Sequence, residues 1–204
     1  MKSTIDRIIE KEWRMFQAVN EGQARAGCQE DPKTFALMRR SQFGAWSEEA
    51  CRSYEQDLDE AAASGRNLLE EKYIHMMASC TPEEYEELKA RLPELPPEHR
   101  ELAQMVNRRL MAEARAMREA HPFLNQIGRP LEASGDTAYA TSIETYQLGE
   151  LLTYSRQTLE ALLRHIEALE AEGGSLAENI QLACLQAMGF YSFEDAAALI
   201  LGKT

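Results

Sequence analysis

Two stretches of the chain gather side chains that carry charge or hydrogen-bond where little else needs burying. The first runs from Gln17 to Pro32 and on into the next helical segment, and holds Arg25, Cys28, Gln29, Asp31, Arg39, Gln42 and Trp46. Glycine and Asx residues suit turns, but Arg25, Cys28 and Gln29 do not follow from turn chemistry. Met38, Gln42 and Trp46 stand at i, i+4 and i+8, one face of a helix, with Arg39 flanking them. The second stretch holds Arg129, Asp136, Tyr146, Glu150 and Tyr154, the last three again at i, i+4 and i+8. A carboxylate, Glu150, opposite an amide, Gln42, each framed by aromatic rings, is a suitable lining for a ligand-binding or catalytic cleft. Ordinary helical cores contain the same stripes, with Glu150 satisfied by Gln42 or Arg39 across the bundle. Both readings stand at this stage.

Other chemistries find less support. A di-iron bundle needs Glu-x-x-His on each of two helices, and none of the four histidines has that spacing. Glu71 and His75 share a face as a single pair, which reads as a surface ion pair, so no metal site is expected. Cys28 beside Arg25 has the setting of a thiolate but no histidine near it in sequence to serve as its base. Neither glycine-rich phosphate loop occurs, and the sequence names no cofactor.

The elements that must position these residues are helices. Apolar residues recur at helical spacing, as in Ile5, Ile8, Ile9, Trp13, Phe16 and Val19, and in Leu102, Met105, Val106, Leu110 and Met117. Thr81-Pro82-Glu83-Glu84 and Ser175-Leu176-Ala177-Glu178 fit the capping box, and Ser192-Phe193-Glu194-Asp195 is a looser version. Start and stop residues place helices near 3–21, 33–46, 48–63, 67–79, 82–91, 98–120, 142–171, 176–188 and 193–201. The expected fold is all-α: a compact bundle of about nine helices forming one domain over residues 1–204, with a long irregular segment at 121–140.

The chain also aligns on itself. Residues 34–77 fall without gaps on 142–185, placing Trp46-Ser47 on Tyr154-Ser155, Gly65 on Gly173 and Leu68 on Leu176. An internal duplication of a helical hairpin would set the two polar stretches in equivalent places, facing each other across a cleft.

Charge and targeting bound the partners. With 34 acidic against 22 basic residues, the net charge of −12 repels phosphate backbones and anionic lipid alike. Nucleic acid and membrane are therefore not expected partners, and the pairs Arg39-Arg40 and Arg108-Arg109 read as solvated helix faces. The first residues lead into an amphipathic pattern and not an apolar signal segment, and four cysteines without a C-x-x-C pair suit reduced thiols. A cytoplasmic location is expected.

Several short runs, Glu10-Lys11-Glu12-Trp13-x-Met15-Phe16, Cys28-Gln29-x-Asp31-Pro32-x-Thr34-Phe35, Arg40-Ser41-Gln42-x-x-x-Trp46-Ser47, Gly65-Arg66-Asn67-Leu68 and Glu144-Thr145-Tyr146, together resemble an uncharacterised bacterial family, DUF4125, over nearly the whole chain. The resemblance implies a compact bacterial protein and carries over no chemistry. Two function classes remain: a small-molecule site between pseudo-equivalent halves, built from the residues named above, or an interaction module offering an acidic helical surface to a partner protein. A concave pocket with convergent polar groups favours the first, and a contiguous exposed apolar patch favours the second.

Overall fold

The computed structural model describes residues 2–19 and 27–202, with Cys28 described by its backbone alone. Among these residues ten α-helices form: α1 (Thr4–Ala18), α2 (Pro32–Gly44), α3 (Glu48–Ala63), α4 (Leu68–Cys80), α5 (Pro82–Leu88), α6 (Pro97–Ala120), α7 (Ile143–Leu151), α8 (Arg156–Ala171), α9 (Leu176–Ala187) and α10 (Phe193–Ile200). No strand forms among them, and Thr137 and Ala140 make an isolated bridge.

The helices start where side chains can satisfy the first backbone N–H groups. Ser3, Asp31, Ser47, Asn67, Ser142, Ser155, Ser175 and Ser192 each accept such a bond. Thr81 does not, so the capping box expected there is absent, and proline at the first position starts α5 in its place. The single helix expected over 142–171 is two, because the chain turns at Leu152–Ser155 and Ser155 caps a new helix. The self-alignment already contained this break, since it puts Tyr154-Ser155 on Trp46-Ser47, where α2 gives way to α3. The segment expected to be irregular, 121–140, is irregular, with short 3-10 turns at Pro122–Gln126 and Ala133–Gly135.

Helices α3 and α8 keep the register of the self-alignment, whereas α2 starts three residues before the position matching the start of α7. Helices α3 and α8 are both 16 residues long, with Ser47 and Ser155 as their N-caps. Both end in a glycine turn of positive φ, 72° at Gly65 and 75° at Gly173, where other residues would be strained. Packing follows the same order. Helix α1 touches α2, α3 and α4, while α6 touches α7, α8 and α9; α2 packs on α9, α4 on α7, and α3 on α8. Helices α5 and α10 lie against α4 and α9 respectively.

The main core is built from the inward stripes, among them Ile8, Phe43, Leu58, Leu159, Leu162 and Ile166. A second, smaller cluster joins Phe123, Leu124, Leu185, Phe193 and Ala196 at the α9–α10 end. Helices α4 and α7 approach closely because Gly149 faces α4. A β-carbon there would stand 3.0 Å from the Lys72 carbonyl oxygen and 3.0 Å from Met76 Cγ. Gly149→Ala is expected to force the helices apart and lower stability by about 1–3 kcal/mol in urea denaturation. An unchanged midpoint would mean that the two helices separate freely.

Candidate functional site

Six elements bring charged and polar side chains to one buried point. Glu12 lies on the apolar face of α1, Arg39 and Gln42 on α2, Tyr54 on α3, Lys72 on α4 and Glu150 on α7, with Tyr154 in the turn after it. Glu12 is 0% exposed and Lys72 2%. Arg39 donates from Nε to Glu12 at 2.6 Å and from Nη2 to the other Glu12 oxygen. It reaches Glu150 from Nη2 at 2.9 Å and from Nη1 at 3.2 Å, and Gln42 Oε1 from Nη1 at 2.8 Å. All five guanidinium N–H groups are thereby used. Glu150 also accepts from Lys72 at 2.6 Å, Gln42 at 2.9 Å and the Tyr154 hydroxyl at 2.5 Å, while Tyr54 donates to Glu12 at 2.7 Å.

Two carboxylates against an arginine and a lysine leave the cluster electrically balanced. Burial works against the charge on Glu150, but Arg39 and Lys72 outweigh it and hold the carboxyl well below its usual range. Burial opposes the charge on Arg39 as well, and Glu12 and Glu150 override it, keeping the guanidinium firmly protonated. For the tyrosines, burial and then the adjacent carboxylates, Glu12 beside Tyr54 and Glu150 beside Tyr154, push the phenols well above their ordinary range. Both therefore act as donors. Rings complete the packing: Tyr54 and Tyr154 stand 4.7 Å apart, and Trp46 meets Tyr154 edge-on at 5.8 Å.

The cluster approaches the surface at Gln42 and Tyr146, which are half-buried. Lys72 Nζ sits 3.6 Å from the centre of the Tyr146 ring, and the exposed Arg129 lays its guanidinium 4.7 Å from the same centre. Of the residues singled out from the sequence, Arg39, Gln42, Trp46, Tyr146, Glu150 and Tyr154 thus meet, with Arg129 at the rim. Gln29, Asp31 and Asp136 do not join them. Arg25 lies outside the described residues, as does the Cys28 side chain. Gln29 is buried but donates to the carbonyls of Phe16 and Val19, tying down the end of α1. Asp31 caps α2, and Asp136 binds Ser79, Thr145 and the Ser142 N–H at the head of α7.

Three members escaped the sequence reading: Glu12, Tyr54 and Lys72. Two of them left a signal. Glu12 interrupts the stripe of Ile8, Ile9, Met15 and Phe16, and Lys72 interrupts that of Leu68 and Met76, and a charge in an apolar stripe is buried and paired if the helix packs at all. The Glu71–His75 surface pair also fails to form. Glu71 is buried and bridged by Arg66, while His75 Nε2 is buried without a partner, and burial, aided by Arg100, lowers that imidazole to about 4.

Two open depressions among the described residues lie elsewhere, one of about 480 Å³ by Lys2, Asp6, Trp13 and Phe35, the other of about 410 Å³ by Arg115, Arg118, Pro122 and Leu131. Among the described residues no three His, Cys, Asp or Glu side chains gather as a metal would require, and no helix is long and apolar enough to cross a membrane. One family model, described as Protein of unknown function (DUF4125), matches residues 2–198. No curated protein and no solved structure matches the chain.

Proposed function

Because the chain belongs to that family and its function must be read from its own architecture, we propose that it binds a small molecule at the polar seam where two pseudo-equivalent halves meet. In this reading α1–α5 and α6–α10 descend from one duplicated five-helix unit, which the shared register and the matching helix contacts support. Gln42 and Glu150 occupy equivalent positions and hydrogen-bond to each other, and Trp46 and Tyr154, also equivalent, set their rings edge to face.

The observation that carries the proposal is an asymmetry. The Glu12–Arg39 pair joins α1 to α2, and Gln147, which the register sets on Arg39, donates to Asn107 at 2.7 Å, joining α7 to α6, the helix that packs in this half as α1 does in the other. Ile180 stands where the register places Lys72. A neutral amide pair therefore suffices to hold that helix junction. Buried ions are costly to desolvate and often replaceable without loss of stability, so charges kept on one side alone point to a use beyond packing.

A thermal-shift screen against a metabolite collection tests this. Ligands of the seam should raise the melting temperature by a few degrees at saturation. The rise should vanish in Gln42→Met and persist in Gln56→Met, which alters an exposed glutamine on α3. Hits that bind both variants equally would place any ligand elsewhere.

The interaction-module reading has its own support. Met188, Tyr191 and Leu199 are 62%, 88% and 61% exposed around the turn from α9 to α10, and Asn179 through Phe193 carry no charge. That face is separate from the seam.

A further inference from the structure

At the outer end of the seam, hydrogen-bond donors are in excess. Lys72 uses one N–H on Glu150 and rests against the Tyr146 ring. Arg129 donates from Nη1 to the Thr141 carbonyl at 3.1 Å, which leaves most of its fork unspent. The Tyr146 hydroxyl makes no hydrogen bond to a described residue. Nor does Arg129 face a carboxylate among the described residues, although the chain carries 34 acidic side chains and most of its described cations are paired. Acids close to it in sequence are engaged: Asp136 by Ser79, Thr145 and Ser142, Glu144 by the Ala133 N–H, and Glu132 by Arg115.

Two cations share one ring, and while Glu150 offsets Lys72, no described carboxylate offsets Arg129. We propose that an external anion does so: the seam takes a carboxylate or phosphate group of a small molecule, bound by the Arg129 fork and the Tyr146 hydroxyl, with Lys72 contributing its field from beneath. Guanidinium and phenol match both groups in geometry, and charge-assisted hydrogen bonds make the contact selective. The register of the halves sharpens the choice, since Met38 and Ile180 stand where Tyr146 and Lys72 do. Apolar side chains thus replace the phenol and the ammonium at the matching positions. The inference rests on the small-molecule reading above and adds the ligand's charge and its contact residues.

The test uses the full chain with inorganic phosphate and, separately, succinate, at constant ionic strength, read as saturable rises in melting temperature. At least one anion should bind. Arg129→Gln should abolish the rise or weaken apparent affinity by about tenfold or more, and Tyr146→Phe, which keeps the ring, should weaken it less. Arg129 is exposed, so its variant should keep the wild-type circular dichroism. Arg108→Gln, at an exposed arginine on α6 with no described carboxylate partner, controls for the general stabilisation that such anions confer. Response to phosphate alone or succinate alone identifies the source of the anion. A rise that survives in Arg129→Gln, one lost equally in Arg108→Gln, or none with either anion overturns the proposal. If neutral compounds still bind in a Gln42-dependent way, the seam stands and the anionic class falls; if nothing depends on Gln42, both fall.

Discussion

Arg39→Met should lower folding stability by about 3–5 kcal/mol, the range for removing one partner of a buried ion pair. Methionine fills much of the same volume, so the loss reads charge and hydrogen bonds more than packing. Without the guanidinium, Glu12 keeps Tyr54 as its one donor, Glu150 keeps Lys72, Gln42 and Tyr154, and two carboxylates face one ammonium. Urea denaturation should show the midpoint falling with an unchanged slope. Copying the other half of the molecule supplies the contrast. The double variant Glu12→Asn with Arg39→Gln imitates Asn107 and Gln147, leaves Lys72 and Glu150 balanced, and should cost less than Arg39→Met alone. If the single substitution costs under about 1 kcal/mol, water or protons reach Glu12 and Glu150 readily, and their burial does not make them depend on Arg39.

Glu150→Gln should cost about 2–4 kcal/mol. The amide oxygen can still accept, but its NH2 group points donors at Arg39, Lys72 or Tyr154, which are donors themselves. Lys72 then has no anion, and two cations face Glu12 alone. Thermal and urea unfolding both read this. A seam that serves a ligand adds a second expectation, that the variant also loses the ligand-dependent rise found in the screen. A melting temperature unchanged or raised together with lost binding would make the carboxylate purely functional, with stability given up for it. A large loss of stability in a chain for which no seam ligand is found would make the cluster purely structural.

How much of this the sequence contained varied with the kind of residue. Helices and their starts were legible because caps and apolar spacing are local, and Gly65 and Gly173 could be placed at helix ends for the same reason. The meeting of Gln42 with Glu150 followed from the self-alignment, a long-range signal that one sequence rarely holds. Glu12 and Lys72 were missed because each was read for its stripe and not for the break in it. Tyr54 had no mark at all, since a tyrosine in an apolar stripe is ordinary core. Gln29, Asp31 and Asp136 show the opposite failure. They are polar in polar surroundings, and their bonds go to backbone groups of loops and helix ends that only the folded chain defines.

The cluster also has a consequence for the order in which the chain is made. Glu150 lies 111 residues after Arg39 and 78 after Lys72. At the cluster, a growing polypeptide that has delivered α1 to α4 therefore holds Arg39 and Lys72 against the one carboxylate of Glu12. Its core cannot close dry, because an unmatched ion would be trapped with it. Closure waits for α7, the first helix of the second half, so synthesis must run well past the midpoint before the first half can settle. A chain cut within residues 121–142 is therefore expected to yield two pieces, each lacking a charge that completes the cluster.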